Sequence, residues 1–292
     1  MQRLNVIALA AGMALGAFAS LAPATHAQTG VTVFEGTRLI PGDGRAPIEN
    51  GVLIVEGGKI TRVGAADVQA PAGATRVNLA GKTVMPTLID THAHLSLLRE
   101  PLLRDLKRRA YYGVGAVMSL GTDPYNLLDV RGEIIPGSAR YLSAGRGITM
   151  PEPGRITAPH WITTEAEGRK IVEELVERKV DIVKIWVDNR GGQYKKLTPE
   201  IYGAIIDEAH KRGLRVAAHI FDLEDGKGLV RAGVDALAHG VRDMDIDDEM
   251  VALFKARQPD PHSEPAGSRR EDGFKLVKTG PASRRIRETR RS

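Results

Sequence analysis

The fold is indicated most clearly by the stretch Val180-Asp181-Ile182-Val183-Lys184-Ile185-Trp186-Val187. A nearly continuous apolar run of this length is typical of a strand that is buried on both faces of a parallel sheet. Lys184 interrupts the run, and a charged ammonium is costly to bury unless it is paired or neutralised. The stretch therefore predicts a buried strand with a lysine of special function. A lysine that reaches the strand end or pairs with Asp181 or Asp188 is the alternative.

Apolar and amphipathic segments alternate on both sides of this stretch. One helix is predicted over residues 165–179, and a second begins after the N-cap Thr198, with Pro199 at its first position, and ends at Gly213. Such alternation is typical of βα units in an α/β fold, arranged as an open doubly wound sheet or as a (β/α)8 barrel of the TIM type. The six predicted strands lie at residues 83–90, 116–120, 140–144, 181–187, 214–220 and 234–239.

Residues 28–81 differ from the rest of the chain because short β-rich runs replace the longer alternation. The runs at 31–34, 51–55 and 60–63 are separated by turn residues such as Gly57-Gly58. They predict a small antiparallel N-terminal domain, a β-sandwich segment, which is followed by the α/β domain over residues 82–256.

The first 27 residues have the pattern of a secretory signal peptide. Arg3 precedes an uncharged stretch rich in Ala, Leu and Gly at residues 6–19, and small residues at 24–27 precede Gln28. The apolar stretch is shorter than the roughly 20 residues that a membrane-spanning helix needs. We therefore expect cleavage before Gln28, a periplasmic or secreted protein, and no stable membrane anchor after cleavage. An uncleaved anchor is the alternative.

The net charge of +5 is concentrated at the carboxyl end. Residues 257–292 contain 10 basic and 5 acidic residues, which leaves 31 of each in the remainder, so we do not expect the protein to bind nucleic acid. The same segment has few hydrophobic residues and no helical or strand period, so it cannot bury enough apolar surface to order itself. We expect residues 257–292 to be a basic, disordered, non-native tail.

The chain contains no cysteine, which excludes a disulfide scaffold, an iron–sulfur cluster, a thiolate zinc site and a cysteine nucleophile. A metal ion would therefore rest on histidine, carboxylate or lysine side chains. Lysine becomes such a ligand when its neutral amine takes up carbon dioxide, because the resulting carbamate offers two oxygens that can bridge two cations. Lys184, in its apolar strand, is the candidate for this chemistry.

Four of the eight histidines, His92, His94, His219 and His239, lie at or just beyond the carboxyl ends of predicted strands. Active sites of βα barrels are built at this edge. His92 and His94 are two residues apart, so a strand directs both side chains to one face. An isolated pair of this kind can also be two ordinary polar histidines. The two further strand-end histidines favour a shared metal site.

The chain resembles the amidohydrolase superfamily in an ordered set of motifs that covers about residues 31–256. The stretch Val84-Met85-Pro86-Thr87-Leu88-Ile89-Asp90-Thr91-His92-Ala93-His94-Leu95 resembles the metal motif of that superfamily's first strand. Four further motifs resemble its imidazolonepropionase-like branch, which includes Xaa-Pro dipeptidases. They are Tyr141-Leu142-Ser143-Ala144-Gly145-Arg146-Gly147-Ile148-Thr149, Val183-Lys184-Ile185-Trp186, Val216-Ala217-Ala218-His219 and Ala238-His239-Gly240.

The resemblance implies a metal-dependent amidohydrolase that cleaves peptide or cyclic amide bonds through a metal-bound hydroxide. In the family pattern, His92 and His94 hold the more buried of two divalent ions, for which we expect zinc. His219 and His239 hold the second ion, and carbamylated Lys184 bridges both. The partner is then a small-molecule or peptide substrate, and the protein could form a homo-oligomer. A lactonase, a deaminase and an inactive metal-binding fragment are the alternatives.

Two other residues are weaker candidates for substrate binding. His160 follows a loop rich in proline and glycine, so it could reach a substrate or be an ordinary surface residue. Arg242 lies just beyond His239 and could bind a substrate carboxylate, or belong with Asp243 to a salt-bridged loop.

This chain departs from the family pattern in three places. Thr87 stands where glycine is usual, and Gly115-Ala116 stand where two threonines are usual; both changes should be tolerable in packing. An aspartate after the eighth strand normally moves the proton to the leaving amine, but no strand-end aspartate follows Lys255, and Asp260 lies between two prolines. We therefore expect an incomplete barrel of about six strands, truncated or frameshifted, without an assigned general base.

Overall fold

The structure, a computed structural model, describes residues 30–257 except 156 and 158. The predicted signal peptide at 1–27 and the predicted tail, apart from Arg257, lie outside the described residues. None of the helices in the described part has the length and apolar character that a membrane span requires. The chain divides after Pro86 into two compact units.

The N-terminal unit contains five strands, β1 (Val31–Leu39), β2 (Ile48–Glu56), β3 (Lys59–Gly64), β4 (Thr75–Asn78) and β5 (Thr83–Val84). β1 pairs antiparallel with β2, and β2 with β3, as predicted. β4 and β5 instead run parallel to β1, so the sheet is mixed. The described residues of this unit form one sheet, and the two packed sheets of the expected β-sandwich are not found in them.

Alternate apolar residues build the small core of this unit. Val31 and Val33 of β1 are buried together with Val52 and Ile54 of β2, as the period of two in a strand requires. The unit reaches Pro86, rather than ending at residue 81, because β5 pairs with β1. A cavity of about 420 Å³ lies in this unit, and its described walls carry no histidine or lysine.

The second unit alternates strands and helices, and both predicted helices are present. Each predicted strand overlaps an observed one. The first, at 83–90, is divided into β5 and a second strand. The break between them contains Pro86, which has no N–H to donate to a neighbouring strand. The elements are β6 (Leu88–Ala93), α1 (Arg99–Tyr111), β7 (Val114–Ser119), a 3₁₀ helix (Tyr125–Gly132), β8 (Arg140–Ser143), β9 (Ile148–Thr149), β10 (His160–Trp161), α2 (Glu165–Glu177), β11 (Val183–Val187), α3 (Pro199–Lys211), β12 (Val216–Ile220), α4 (Leu223–Ala232), β13 (Ala236–Leu237) and α5 (Asp248–Arg257).

The strands of this unit form two parallel sheets. One has the order β6-β7-β8 and the other has the order β10-β9-β11-β12-β13. The prediction of an α/β fold with parallel strands is confirmed. The described residues do not close into a barrel. The sequence does not predict β9 and β10, because each is two residues long and too short to show a period.

Strand β11 separates a layer of helices from the face that carries the lysine. Val183, Ile185 and Val187 belong to a buried apolar cluster with side chains of α2, α3 and α4. Lys184 and Trp186 alternate with these residues and therefore lie on the opposite face. The burial of the whole strand explains why its sequence is almost continuously apolar.

A smaller apolar cluster joins the two parallel sheets on the face opposite the helices. Met118 of β7 and Leu120 just beyond it are buried together with Ala144, which follows β8, and Ala217 of β12. Ala217 pairs in register with Lys184 of β11. The cluster therefore brings side chains from both sheets together next to the buried lysine.

Thr87 and Gly115, two of the departures from the family pattern, lie against each other. A Cβ atom added to Gly115 would overlap the Thr87 side chain. The Thr87 hydroxyl donates a hydrogen bond to the Gly113 carbonyl at 3.1 Å. Threonine at position 87 thus occupies the space that a larger residue at position 115 would need, and the two changes compensate each other in packing.

We expect Gly115→Ala to lower the free energy of unfolding by about 1–2 kcal/mol, because the added Cβ atom overpacks against Thr87. The double variant Thr87→Gly/Gly115→Ala should recover part of this loss, with a coupling energy of at least about 0.5 kcal/mol in urea unfolding experiments. Gly203→Ala in α3 is the control, because its added Cβ atom meets nothing within 4 Å. Strictly additive effects of the two substitutions would contradict the compensation.

Candidate metal centre

All five predicted metal-binding residues lie in, or just after, parallel strands of the second unit. His92 lies in β6, and His94 directly follows this strand. His219 lies in β12, and His239 follows β13 by two residues. Lys184 lies within β11, the strand that pairs with β12. The carboxyl ends of these strands therefore supply the four histidines.

The four imidazole rings form a continuous row. Ring centroids are 5.2 Å apart for His94 and His92, 4.6 Å for His92 and His239, and 4.5 Å for His239 and His219. Two imidazoles on one zinc ion have centroids about 5 Å apart, given a Zn–N distance of about 2.1 Å and tetrahedral angles. The row therefore has the spacing of shared metal ligands.

Among the described residues, no three histidine, cysteine, aspartate or glutamate side chains form a group that could hold a metal ion. Lysine, which includes the proposed ligand Lys184, is not among these four residue types. The strand backbones fix the spacing of the rings, whereas side-chain torsions set where each nitrogen points. The spacing of the rings, which the strands fix, is therefore the observation that supports a metal centre.

A backbone carbonyl orients the first histidine of the row. Nδ1 of His92 lies 3.2 Å from the Ala238 carbonyl, to which it donates. This contact assigns the proton of the neutral ring to Nδ1 and leaves the lone pair on Nε2. Histidines that bind metals usually donate their other N–H group in this way.

Burial keeps the four imidazoles neutral. It lowers the pKa of His94, His219 and His239 to about 4 in each case, and it lowers the pKa of His92 below its ordinary value. In its protonated form, Lys184 also lowers the pKa of all four rings. Neutral imidazole is the form that binds metal ions, so the ligand lone pairs are available at neutral pH.

Lys184 is fully buried, and its Nζ atom has no hydrogen-bond partner in the part of the chain that the structure describes. Nζ lies 5.6 Å from the centroid of the Trp186 ring. Burial, followed by the positive charge of Arg155, lowers the pKa of this amine to about 7. A neutral buried amine without a partner is suited to become a carbamate, so the residues present fit a bridging carbamate and two divalent ions.

Two glycines allow the chain to pack closely around this lysine. Gly121 has a φ of +88°, and a Cβ atom there would lie 2.8 Å from Cγ of Lys184. A Cβ atom on Gly147 would overlap the ring of Trp186. The two glycines are joined by a hydrogen bond of 2.8 Å from the Gly147 N–H to the Gly121 carbonyl. Side chains at either position would displace Lys184 or Trp186.

A cleft of about 460 Å³ opens beside the histidines. Two arginines in its wall are paired with carboxylates, Arg155 with Glu152 at 2.9 Å and Arg190 with Asp188 at 2.9 Å. The cleft therefore combines neutral ligands with two balanced ion pairs. Its lining consists of His94, Leu95, Leu97, Thr122, Arg155, Thr157, Trp186, Arg190, His219 and His239.

Sequence reasoning misses Arg155 and Arg190, and it considers Asp188 only as a partner for Lys184. In the structure, Asp188 instead accepts a hydrogen bond from Nε2 of His219 at 2.9 Å. Position along the chain could have indicated Asp188 and Arg190, because loops directly after parallel strands carry functional groups. Arg155 follows no strand directly, so the sequence holds no comparable signal for it.

The two weaker candidates do not line the cleft. His160 is buried, with Nε2 2.6 Å from the Tyr125 hydroxyl, so its description as a surface loop residue is wrong. Arg242 donates to the Ile220 carbonyl at 2.9 Å and lies over the Phe221 ring. Both side chains have structural contacts, and a role of either one in substrate binding stays a prediction.

Comparison with known proteins finds relatives but no matching family model. An uncharacterized protein of Mycobacterium tuberculosis is 31% identical over 200 residues, which cover 63% of this chain and 50% of the relative. The enamidase of Eubacterium barkeri is 25% identical over 193 residues, which cover 62% and 47% of the two chains. The chain spans about half the length of these curated relatives.

A third relative matches more closely over a short segment. A 5-methylthioadenosine/S-adenosylhomocysteine deaminase of Symbiobacterium thermophilum is 44% identical over 72 residues, which cover 23% of this chain and 16% of the deaminase.

Solved structures share the fold of the described residues. A putative prolidase from Bifidobacterium longum has a TM-score of 0.63 and 26% identity, and the match covers 78% of this chain and 58% of the prolidase. A Xaa-Pro dipeptidase with bound methionine in the active site has a TM-score of 0.64 and 22% identity, with coverage of 77% and 64%. An amidohydrolase has a TM-score of 0.66 and 20% identity, with the same coverage. The fold and the relatives therefore support the resemblance to the amidohydrolase superfamily that the sequence motifs indicate.

Proposed function

We propose that this protein is a metal-dependent hydrolase of amide or other carbon–nitrogen bonds. The observation that carries the proposal is the row of four neutral imidazoles in the same unit as the buried amine of Lys184, which has no partner among the described residues. The names of the relatives and neighbours, enamidase, prolidase and Xaa-Pro dipeptidase, support the same class of reaction.

The proposed centre holds two divalent ions. His92 and His94 would hold one ion, His219 and His239 would hold the other, and carbamylated Lys184 would supply oxygen ligands to both. Zinc suits a set of imidazole nitrogens and carbamate oxygens. When bound, such ions polarise a carbonyl group and lower the pKa of water. The contribution of the chain itself is to hold neutral imidazoles on strands whose backbone positions are fixed by the sheets.

The cleft beside this centre is of the size that binds small molecules or short peptides. Arg155 and Trp186 form one wall, in which the guanidinium lies 4.1 Å from the centroid of the indole ring. Arg155 is held in place because it also donates to Glu152 and to the Thr157 hydroxyl, each at 2.9 Å. We propose that this wall orients the substrate and excludes water from it. No described residue is assigned as general base.

We further propose that the two parallel sheets are part of a (β/α)8 barrel. The apolar cluster that joins them on the face opposite the helices supports this arrangement, because side chains from several strands meet inside such a barrel. The matched structures extend beyond the region they share with this chain, which covers 58–64% of their length.

A deaminase of the same superfamily is the second candidate. The match to the deaminase of Symbiobacterium thermophilum favours it, because the identity of 44% is higher than in the longer matches. Deamination also breaks a carbon–nitrogen bond with water as the second reactant, so the proposed metal centre would suit either reaction.

A substrate screen tests the class of reaction. We expect the purified chain, loaded with zinc, to hydrolyse dipeptides, N-acyl amino acids or cyclic amides, and we expect a chelator to abolish turnover because the reaction depends on the ions. Lactones and purine nucleosides belong in the same screen. Turnover of a nucleoside alone would support the deaminase instead. Metal binding without turnover of any substrate would contradict the proposed activity and leave a metal-binding fragment.

Metal content tests the centre itself. Elemental analysis should find two divalent ions per folded chain, and His92→Ala should lose at least one of them because it removes a ligand. His210→Ala is the matched control, since His210 pairs with Asp235 at 2.8 Å and does not line the cleft. An unchanged metal content in His92→Ala would contradict the ligand assignment.

Carbamylation of Lys184 can be followed with carbon-13 bicarbonate. The pKa of this amine is lowered to about 7, and only the neutral amine reacts with carbon dioxide. Labelling of the metal-free protein should therefore increase as the pH rises from about 6 to about 8. Lys196→Ala is the control, because Lys196 is ion-paired with Asp222 and Asp225. A carbamate signal that persists in Lys184→Ala would show that another amine reacts.

A further inference from the structure

Asp188 is a buried carboxylate that the proposed centre does not use as a ligand. It directly follows β11 and is 7% exposed. Burial of a carboxylate without strong partners would be costly. Because its burial depends on strong partners, the hydrogen bonds of Asp188 indicate its role.

Three donors hold the Asp188 carboxylate in one orientation. The backbone N–H of Arg190 donates to Oδ1 at 2.8 Å, and the Arg190 guanidinium donates to Oδ2 at 2.9 Å. The third donor is Nε2 of His219, at 2.9 Å from Oδ2. Arg190 has a φ of +54°, a left-handed conformation that is uncommon outside glycine. The local turn is thus formed at some cost in backbone strain, and it directs an N–H group at Asp188.

The contact with Asp188 determines which nitrogen of His219 is free. An ionised carboxylate accepts hydrogen bonds only, so the proton of the neutral ring lies on Nε2. The lone pair is then on Nδ1. The ring centroid of His239, the other residue assigned to the second ion, lies 4.5 Å from that of His219.

We propose that Asp188 is the positioning residue that holds His219 with its Nδ1 lone pair directed at the second metal ion. This role rests on the proposed function, which identifies the ion. It gives a part in the site to the loop after β11, which lies outside the motifs that supply the metal ligands. Carboxylates behind metal-binding histidines act in this way by fixing the tautomer and the orientation of the ring.

A second carboxylate–histidine pair in the same unit supplies an internal control. Nε2 of His210 lies 2.8 Å from the Asp235 carboxylate, a contact like that between His219 and Asp188. Asp235 also accepts a hydrogen bond from the backbone N–H of Val216. The His210 ring does not line the cleft. A purely structural carboxylate–histidine contact should therefore behave as the Asp235 pair does.

The ring tautomer of His219 can be measured without any metal. In the metal-free protein, nitrogen-15 NMR of the histidine rings, assigned with His219→Gln, should show the proton of His219 on Nε2. In Asp188→Asn the side-chain amide can donate to Nε2, so the proton should move to Nδ1 in a measurable fraction of molecules. A wild-type ring with its proton on Nδ1 would overturn the inference.

Metal affinity tests the consequence. In titrations with zinc against a chromophoric chelator, Asp188→Asn should bind the second ion about 10–100-fold more weakly, and the first ion should be unaffected. Asp235→Asn should leave both affinities unchanged. Asp188→Ala should also weaken binding of the second ion. Urea unfolding of each metal-free variant shows whether the fold is kept.

The outcomes separate the inference from the proposed function. A wild-type chain that binds no zinc would refute the proposed metal centre, while the NMR result would still decide whether Asp188 fixes the His219 ring. Two tightly bound ions in wild type and in folded Asp188→Asn would refute the positioning role and leave the proposed function intact.

Discussion

The burial of the Lys184 amine is the constraint on which the other features of the second unit depend. Its strand is covered by helices on one face, and on the other face Lys184 and Trp186 lie among close backbone contacts. Because Gly121 and Gly147 have no side chains, they leave room for Lys184 and Trp186. An amine in this environment is costly in its charged form. The surroundings therefore favour a neutral amine, and a neutral amine can form a carbamate.

The same low polarity explains the state of the histidines. Burial lowers the pKa of His94, His219 and His239 to about 4, so these rings remain neutral ligands at pH values where exposed histidines begin to gain a proton. Positive charge in the cleft wall is balanced locally, since Arg155 pairs with Glu152 and Arg190 pairs with Asp188. Bound metal ions would add positive charge to this neutral site, and the negative charge of a carbamate would offset part of it.

The sequence predicts the parts of this arrangement that depend on periodicity. The apolar run around Lys184 predicts its buried strand, and the histidines that follow apolar runs predict the strand ends that meet in the structure. The α/β class follows from the same alternation. The site residues that come from these strands are therefore identifiable without coordinates.

Other features depend on contacts between distant segments, which a single sequence does not encode as a local pattern. The parallel pairing of β5 with β1 moves the boundary of the first unit, and the contact between Thr87 and Gly115 joins two separate deviations from the family pattern. Asp188 can be placed after its strand from the sequence, but its hydrogen bond to His219, 31 residues away, follows only from the pairing of β11 with β12.

The central claim is that the row of histidines and Lys184 form one binuclear metal centre. Anomalous diffraction at the zinc absorption edge, from crystals of the zinc-loaded protein, locates the ions directly. We predict two peaks about 3.5–4 Å apart, one bound by His92 and His94, the other by His219 and His239, with density for a carbamate on Lys184 between them. Zinc peaks away from these histidines, or a single ion with Lys184 unmodified, would contradict the account.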